Sequence, residues 1–169
     1  MVVRSLRLAA SLALIPAGIA ACRQETPSLV GVQTVRLALI AGSEHGGKPF
    51  STSMTQEVTG TPPYSGDSDG TGTALLTVNH GQGEICWEVS VSAITLPATA
   101  SHIHKADAGI RGPIVVPLSA PGANGTSAGC ASGLDRELLR DILTNPELYY
   151  VNVHTSDYPP GAVRGQLGR

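Results

Sequence analysis

The chain has 169 residues, 14% of them charged, with a formal net charge of −2; that balance does not suit a polyphosphate backbone, so nucleic acid is not an expected partner. Aromatic residues make up only 4%, too few for a base-stacking platform or an aromatic shelf for sugars. The length fits one domain with its own core once an export segment is set aside.

Such a segment opens the chain. Arg4 and Arg7 give a positive start, Leu8 to Ile19 a short apolar run, and Ile19-Ala20-Ala21 precede Cys22, the layout of an export signal. The run is too short to span a bilayer comfortably and contains Pro16, which argues against a stable transmembrane helix. Small residues at 20 and 21 would suit an ordinary signal peptidase, but Ile19-Ala20-Ala21-Cys22 also resembles the bacterial lipobox, whose cysteine is acylated and becomes the new N-terminus. On this preferred reading residues 1–21 are a lipoprotein signal peptide and Cys22 carries the lipid, on the periplasmic or outer face of the cell envelope. Arg23 follows, so the aspartate that would argue for inner-membrane retention is absent. Cleavage removes two arginines and no acid, taking the net charge of −2 to −4.

Residues 22–32 are polar and read as a tether, and 33–169 as the domain. Gln33 to Ala41 is expected as a first strand, followed by a glycine-rich loop in which His45 is read as a solvated residue before a mobile fourth metal ligand. Phe50 to Val58 is a strand carrying Gln56-Glu57. Residues 59–70 form a turn-rich connection; its aspartates lack the glutamate spacing of an EF-hand. Thr73 to Asn79 and Glu84 to Thr95 form a hairpin, with Ile85, Trp87, Val89 and Val91 on the apolar face and His80 hydrated in the turn. Cys86 and Cys130 remain as an even pair in an oxidising compartment, so a disulfide is expected ahead of a thiolate metal site. The chain-entropy model assigns a loop of this length up to about 4 kcal/mol.

The chemistry centres on Ser101-His102-Ile103-His104-Lys105. Side chains alternate along a strand, so His102 and His104 share one face while Ile103 takes the other. Near the C-terminus Tyr150, Asn152 and His154 repeat the pattern, alternating with an apolar row of Tyr149, Val151 and Val153. A single histidine near a strand end is ordinarily a half-exposed polar residue. If these two strands are neighbours, however, three imidazoles converge, a donor set that suits copper or zinc and leaves a coordination position open.

Between those strands the sequence reads as a loop over 107–113, a short apolar strand Ile114 to Leu118, and a glycine- and alanine-rich loop Ser119 to Gly133 pinned by Cys130. A helix follows, with Leu134, Leu138, Leu139, Ile142 and Leu143 at helical spacing, Ser132 as N-cap, Asp135 in the first turn and Asn145-Pro146 as the stop. Glu147 to His154 is then a strand, 156–161 a turn and Ala162 to Leu167 the last strand. The fold class expected is all-β: an antiparallel, Greek-key-like β-sandwich of about eight strands with one short helix.

His102-Ile103-His104-Lys105, Gly112-Pro113-Ile114-Val115-Val116-Pro117-Leu118, Asn145-Pro146, Tyr149 through Thr155, and Pro160-Gly161-Ala162-Val163-Arg164-Gly165-Gln166-Leu167 together resemble the CHRD domain, a module repeated in the extracellular protein chordin and found singly in bacterial exported proteins. The resemblance runs from about Phe50 to the C-terminus, with Gln56-Glu57-Val58 and Gly70 to Ala74 matching the opening strands. It implies a fold and an extracytoplasmic compartment; chordin's binding of growth factors suggests an interaction module by analogy alone. Ala162 stands where the family often has glutamate, which leaves Arg164 without that charge partner; Glu57 or Asp157 could replace it, or Arg164 could face an anion. A weaker likeness is to copper-zinc superoxide dismutase, whose His-x-His strand and distant strand histidine match His102, His104 and His154; its bridging histidine and zinc loop have no counterpart.

The reading that follows is an exported, lipid-anchored, non-enzymatic binding domain with a His102, His104, His154 site for copper, or zinc as second choice. Glu57 and Asn152 are expected to support the site by fixing which ring nitrogen binds, and Arg164 to do the same or to face an anion. Affinity is expected to fall as the imidazoles protonate, below roughly pH 6. One alternative is a copper-dependent redox enzyme in which Arg164, Arg111 or Lys105 steers an anion. The other is a metal-free interaction module with its histidines bonded to backbone carbonyls or to Glu57. No Gly-x-Ser-x-Gly motif is present and no carboxylate pair stands out, so no residue is assigned a catalytic role.

Overall fold

A computed structural model of the chain describes residues 46–168. The export signal, Cys22, the tether, the expected strand Gln33–Ala41 and His45 lie outside the described residues.

Among the described residues ten strands and one α-helix follow in order: β1 (Lys48–Gln56), β2 (Val58–Thr59), β3 (Tyr64–Ser65), β4 (Thr71–Asn79), β5 (Glu84–Ser92), β6 (Ala100–Lys105), β7 (Ile114–Leu118), β8 (Thr126–Ala131), α1 (Arg136–Thr144), β9 (Tyr149–His154) and β10 (Val163–Gln166). Eight of them form one antiparallel sheet in the order β7-β6-β9-β10-β1-β4-β5-β8, while β2 and β3 pair as a small hairpin. The corner is β1. Its Lys48–Met54 stretch pairs with β4, and its last residues, Thr55 and Gln56, pair with β10. The sheet thus turns over on itself, the edge strands β7 and β8 return close to one another, and the apolar faces meet inside. This is the expected all-β sandwich with one helix.

Period-two alternation builds that core. Ile85, Trp87, Val89 and Val91 of β5 point inward beside Ala74, Leu76 and Val78 of β4, and Ile103, Tyr149, Val151, Val153 and Val163 face them from the other half. Each fully buried aliphatic side chain of this kind stabilises the fold by about 1.5–3 kcal/mol. In β6, β9 and β10 the opposite face is also largely covered, because residues 106–112 and the β2–β3 hairpin are drawn over it. Gly60 N–H donates to Gly109 O at 3.1 Å, and Asp67 N–H to Ala162 O at 2.9 Å. A polar face under a loop, rather than one open to water, is where the histidines sit.

Three local expectations are corrected. Within Ser119–Gly133, Thr126–Ala131 is a strand, not a loop: it pairs along β5 with Cys86 opposite Cys130, and the disulfide forms there. Alternation of small residues carries little apolar signal, which hid it. The helix N-cap is Asp135, whose Oδ1 accepts the Glu137 N–H at 2.8 Å, and not Ser132, whose hydroxyl donates to Glu84 Oε2 at 2.8 Å. Strand β9 starts later than expected because Pro146–Leu148 forms a 3₁₀ turn ahead of it, and β10 is one residue shorter at each end.

Candidate metal centre

Strand β9 lies between β6 and β10. In the antiparallel register His102 is opposite Asn152, His104 opposite Tyr150 and Ala100 opposite His154, while Arg164 and Gln166 of β10 face Asn152 and Tyr150 from the other side. All of these side chains leave the sheet on its outer face. The sequence expectation that two distant strands are neighbours is met, and the three imidazoles come together. His102 Nδ1 is 3.1 Å from His154 Nε2, ring centroids are 5.0 to 6.4 Å apart, and one nitrogen from each ring lies within 4.8 Å of the others.

The backbone fixes which nitrogens face inward. His104 Nδ1 meets Gly112 O at 2.9 Å and His154 Nδ1 meets Pro159 O at 2.8 Å. A carbonyl only accepts, so both Nδ1 atoms carry the proton and both Nε2 atoms present a lone pair. His104 is 6% exposed, and its Nε2 is buried without a hydrogen-bond partner. Nitrogen ligands about 2.0–2.1 Å from a tetrahedral ion stand roughly 3.3 Å apart. The His102–His154 pair is already at about that spacing, and a His104 nitrogen lies within 4.8 Å of both. The other His/Cys/Asp/Glu group of this kind among the described residues, Glu84 with Cys86 and Cys130, has both sulfurs in the disulfide.

Burial sets the charge state. It holds the His102 imidazole down at about 4, with His154 and His104 adding to the effect, and it lowers His104 and His154 as well. His104 and His154 are thus neutral with inward lone pairs, and His102, which donates from Nδ1 to His154 Nε2, presents that nitrogen to a cation once its proton moves to Nε2 or is released.

Behind the rings, Asn152 and Glu57 are each 1% exposed. Asn152 Nδ2 donates to Glu57 Oε2 at 3.1 Å, and Asn152 Oδ1 lies 3.1 Å from His154 Nε2. Burial pushes the Glu57 carboxyl above its ordinary range, with the Asn152 bond pulling the other way, and Glu57 Oε1 has no partner. Arg164, also buried, donates to Ile110 O at 2.7 Å, Asp107 O at 2.8 Å and Gln166 Oε1 at 2.9 Å. Its guanidinium is spent on carbonyls of the covering loop, and the Glu57 carboxylate acts on it as a nearby opposite charge, one of the two partners expected in place of the missing glutamate at position 162. Lys105, on the other side of β6, pairs with Asp141 at 2.5 Å. Of the three expected cations only Arg111 is exposed beside the cluster, its guanidinium 5.6 Å from the Tyr64 ring centroid.

A family model described as the CHRD domain matches residues 50–167. The chain belongs to the CHRD family. Searches of curated proteins and of solved structures gave no match.

Several residues that shape the site in this CHRD domain went unnoticed in its sequence. Gly112 and Pro159 act through backbone carbonyls, which leave no side-chain signature. Tyr150 donates no ligand, yet its ring stacks on His104 with planes 5° apart. Gln166 clamps the loop from below by donating to Ala106 O at 2.8 Å and Glu147 O at 2.7 Å. Alternation did place Tyr150 on the histidine face, and that was the available clue. His80, expected to be hydrated, has its Nε2 buried without a partner.

Proposed function

We propose that this CHRD protein is a non-enzymatic metal-binding domain, exported and held to the bacterial cell envelope by a lipid on Cys22, whose His102, His104 and His154 take copper, with zinc as second choice. The observation that carries the reading is the pair of inward Nε2 lone pairs on His104 and His154, fixed by Gly112 O and Pro159 O. In a metal-free interaction module the His102–His154 hydrogen bond would satisfy those two rings, but His104 Nε2 would remain a buried acceptor with no donor, at a cost of about 1–3 kcal/mol. A cation removes that cost. Imidazole ligation selects Cu(II) and Zn(II) over calcium or magnesium, which prefer oxygen.

The test is calorimetric titration of the mature protein with Cu(II) and Zn(II), beside a His102→Ala/His154→Ala variant. Saturable one-to-one binding by the native protein and its loss in the variant are expected. Equal, weak heats from both would leave a metal-free module. The anchor is tested separately, by fractionating cells that express the native protein or Cys22→Ser: the variant should leave the membrane fraction.

A further inference from the structure

From the atoms around the three rings we infer that Asn152 is a fourth ligand, its Oδ1 completing an N3O donor set that favours divalent ions over Cu(I). The inference deepens the metal reading and rests on it.

The argument begins with Glu57. Its carboxylate is buried, and its Oε2 takes a hydrogen bond from Asn152 Nδ2. Only the amide nitrogen of an asparagine can donate, so this bond decides which way the carboxamide is turned. Oδ1 is thereby directed away from Glu57 and toward the imidazoles, 3.1 Å from His154 Nε2. That nitrogen has no proton to give, because the ring proton is on Nδ1 and bound to Pro159 O. Two acceptors therefore face each other at hydrogen-bond distance, beside a third at His104 Nε2, which is buried without a partner. One proton, on His102 Nδ1, is available to the cluster. Acceptors that outnumber donors at one point make a cation site, and the Oδ1 to Nε2 spacing is close to the roughly 3.3 Å edge of a tetrahedron of ligands.

The identity of the fourth atom has a chemical consequence. A carboxamide oxygen is a hard donor that suits Cu(II) and Zn(II), whereas Cu(I) prefers sulfur or nitrogen and is content with fewer ligands. With four protein ligands the site is closed for zinc, as structural sites are, and leaves no vacant tetrahedral position for a substrate. Glu57 is a positioning residue: it holds the oxygen inward without touching the ion.

The test uses the mature protein with isotopic labels, titrated with Zn(II) and followed by NMR, so that it does not depend on a variant folding. The ring signals of His102, His104 and His154 and the side-chain carboxamide signal of Asn152 should move together at one equivalent. In parallel, Asn152→Ala should bind Zn(II) and Cu(II) at least about 10- to 100-fold more weakly, the loss already typical of an outer-shell partner, while Cu(I) affinity stays within about threefold. Glu57→Ala should weaken divalent binding in the same direction, with Glu57→Gln, whose oxygen can still accept from Nδ2, recovering most of it. Ring signals that shift while the Asn152 carboxamide does not would overturn the fourth ligand and leave the three-histidine site standing. Ring signals that never move would remove both.

Discussion

His104 and Tyr150, directly opposite across β6 and β9, lie with ring centroids 4.8 Å apart and planes 5° from parallel. Arg164 closes the stack from the β10 side, its guanidinium carbon 3.3 Å from the Tyr150 centroid. The stack gives His104 one orientation, and Tyr150 extends the hold: its hydroxyl accepts the N–H of Gly112, whose carbonyl in turn accepts from His104 Nδ1. Loop, aromatic ring and imidazole are one unit.

Arg164 is the part of that unit with the most to lose. Its guanidinium spans two loop carbonyls and Gln166, and removing it leaves those acceptors buried. Arg164→Ala should destabilise the domain by about 3 kcal/mol in urea unfolding. Arg164→Lys should recover little, because an ammonium cannot reproduce a planar fork of donors. A lysine variant as stable as the native protein would show that the geometry of the fork does not matter.

The pH dependence follows from the lowered imidazoles. For His102, His104 and His154 the folded form binds a proton less readily than the unfolded chain, whose histidines titrate near 6.5. Between that value and the folded one, about 4 for His102, the unfolded state carries more protons, so stability falls as pH falls through this window. Glu57 acts in the opposite direction, since its raised carboxyl makes folding less favourable as pH rises above its ordinary 4.5. The histidines being more numerous, the metal-free domain should lose stability from pH 6.5 downward, read as a falling midpoint in thermal scans.

Metal binding responds to the same shifts. Three ordinary imidazoles would weaken binding by roughly a thousandfold at pH 5.5. Here burial lowers all three rings, so the affinity for Zn(II) should fall by clearly less than that between pH 7 and 5.5. The earlier expectation of a decline below pH 6 is thus moved to lower pH by burial. A full thousandfold loss would mean the rings are as free to protonate as in a peptide.

Much of this was legible in the residues. His102 and His104 had to share a face, and Tyr150, Asn152 and His154 had to share another, because strand alternation has no other outcome. Trp87 and its neighbours announced a core face for the same reason. What could not be read was register. Whether His102 sits opposite Asn152 or two residues away depends on how β9 packs beside β6 after a long excursion, and no local pattern encodes that. The carbonyl partners of Arg164, on Asp107 and Ile110, were hidden for a related cause: a backbone acceptor more than fifty positions away has no identity in the sequence. Strand β8 escaped notice because Thr126-Ser127-Ala128-Gly129-Cys130-Ala131 offers no large apolar side chain to mark its inner face.

The disulfide lies in the other half of the sheet from the histidines, linking β5 to the edge strand β8 across 44 positions. Its loss lengthens the free loop in the unfolded chain and costs about 2–4 kcal/mol in the entropy model. Cys86→Ala/Cys130→Ala should therefore lower the thermal midpoint while leaving Zn(II) affinity unchanged. An equal loss of metal binding would show that the two halves are coupled more tightly than their separation in the sheet implies.

Gly161 offers the most local test of the support beneath the rings. Its φ of 142° lies where L side chains are rarely found, and a Cβ built there would overlap Glu57 Oε2 and press on Asn152 Nδ2. Glu57 cannot retreat freely, because its own N–H is bonded to Ala162 O at 3.1 Å and its carbonyl accepts from Gly66 N–H at 2.7 Å. Gly161→Ala thus forces both backbone strain and a displaced carboxylate, together about 2–4 kcal/mol of stability. The displacement also releases the Asn152 carboxamide from the one bond that orients it, so Zn(II) binding should weaken even in the fraction that folds. If unfolding moves as expected but affinity does not, the Glu57–Asn152 bond stabilises the fold without serving the site.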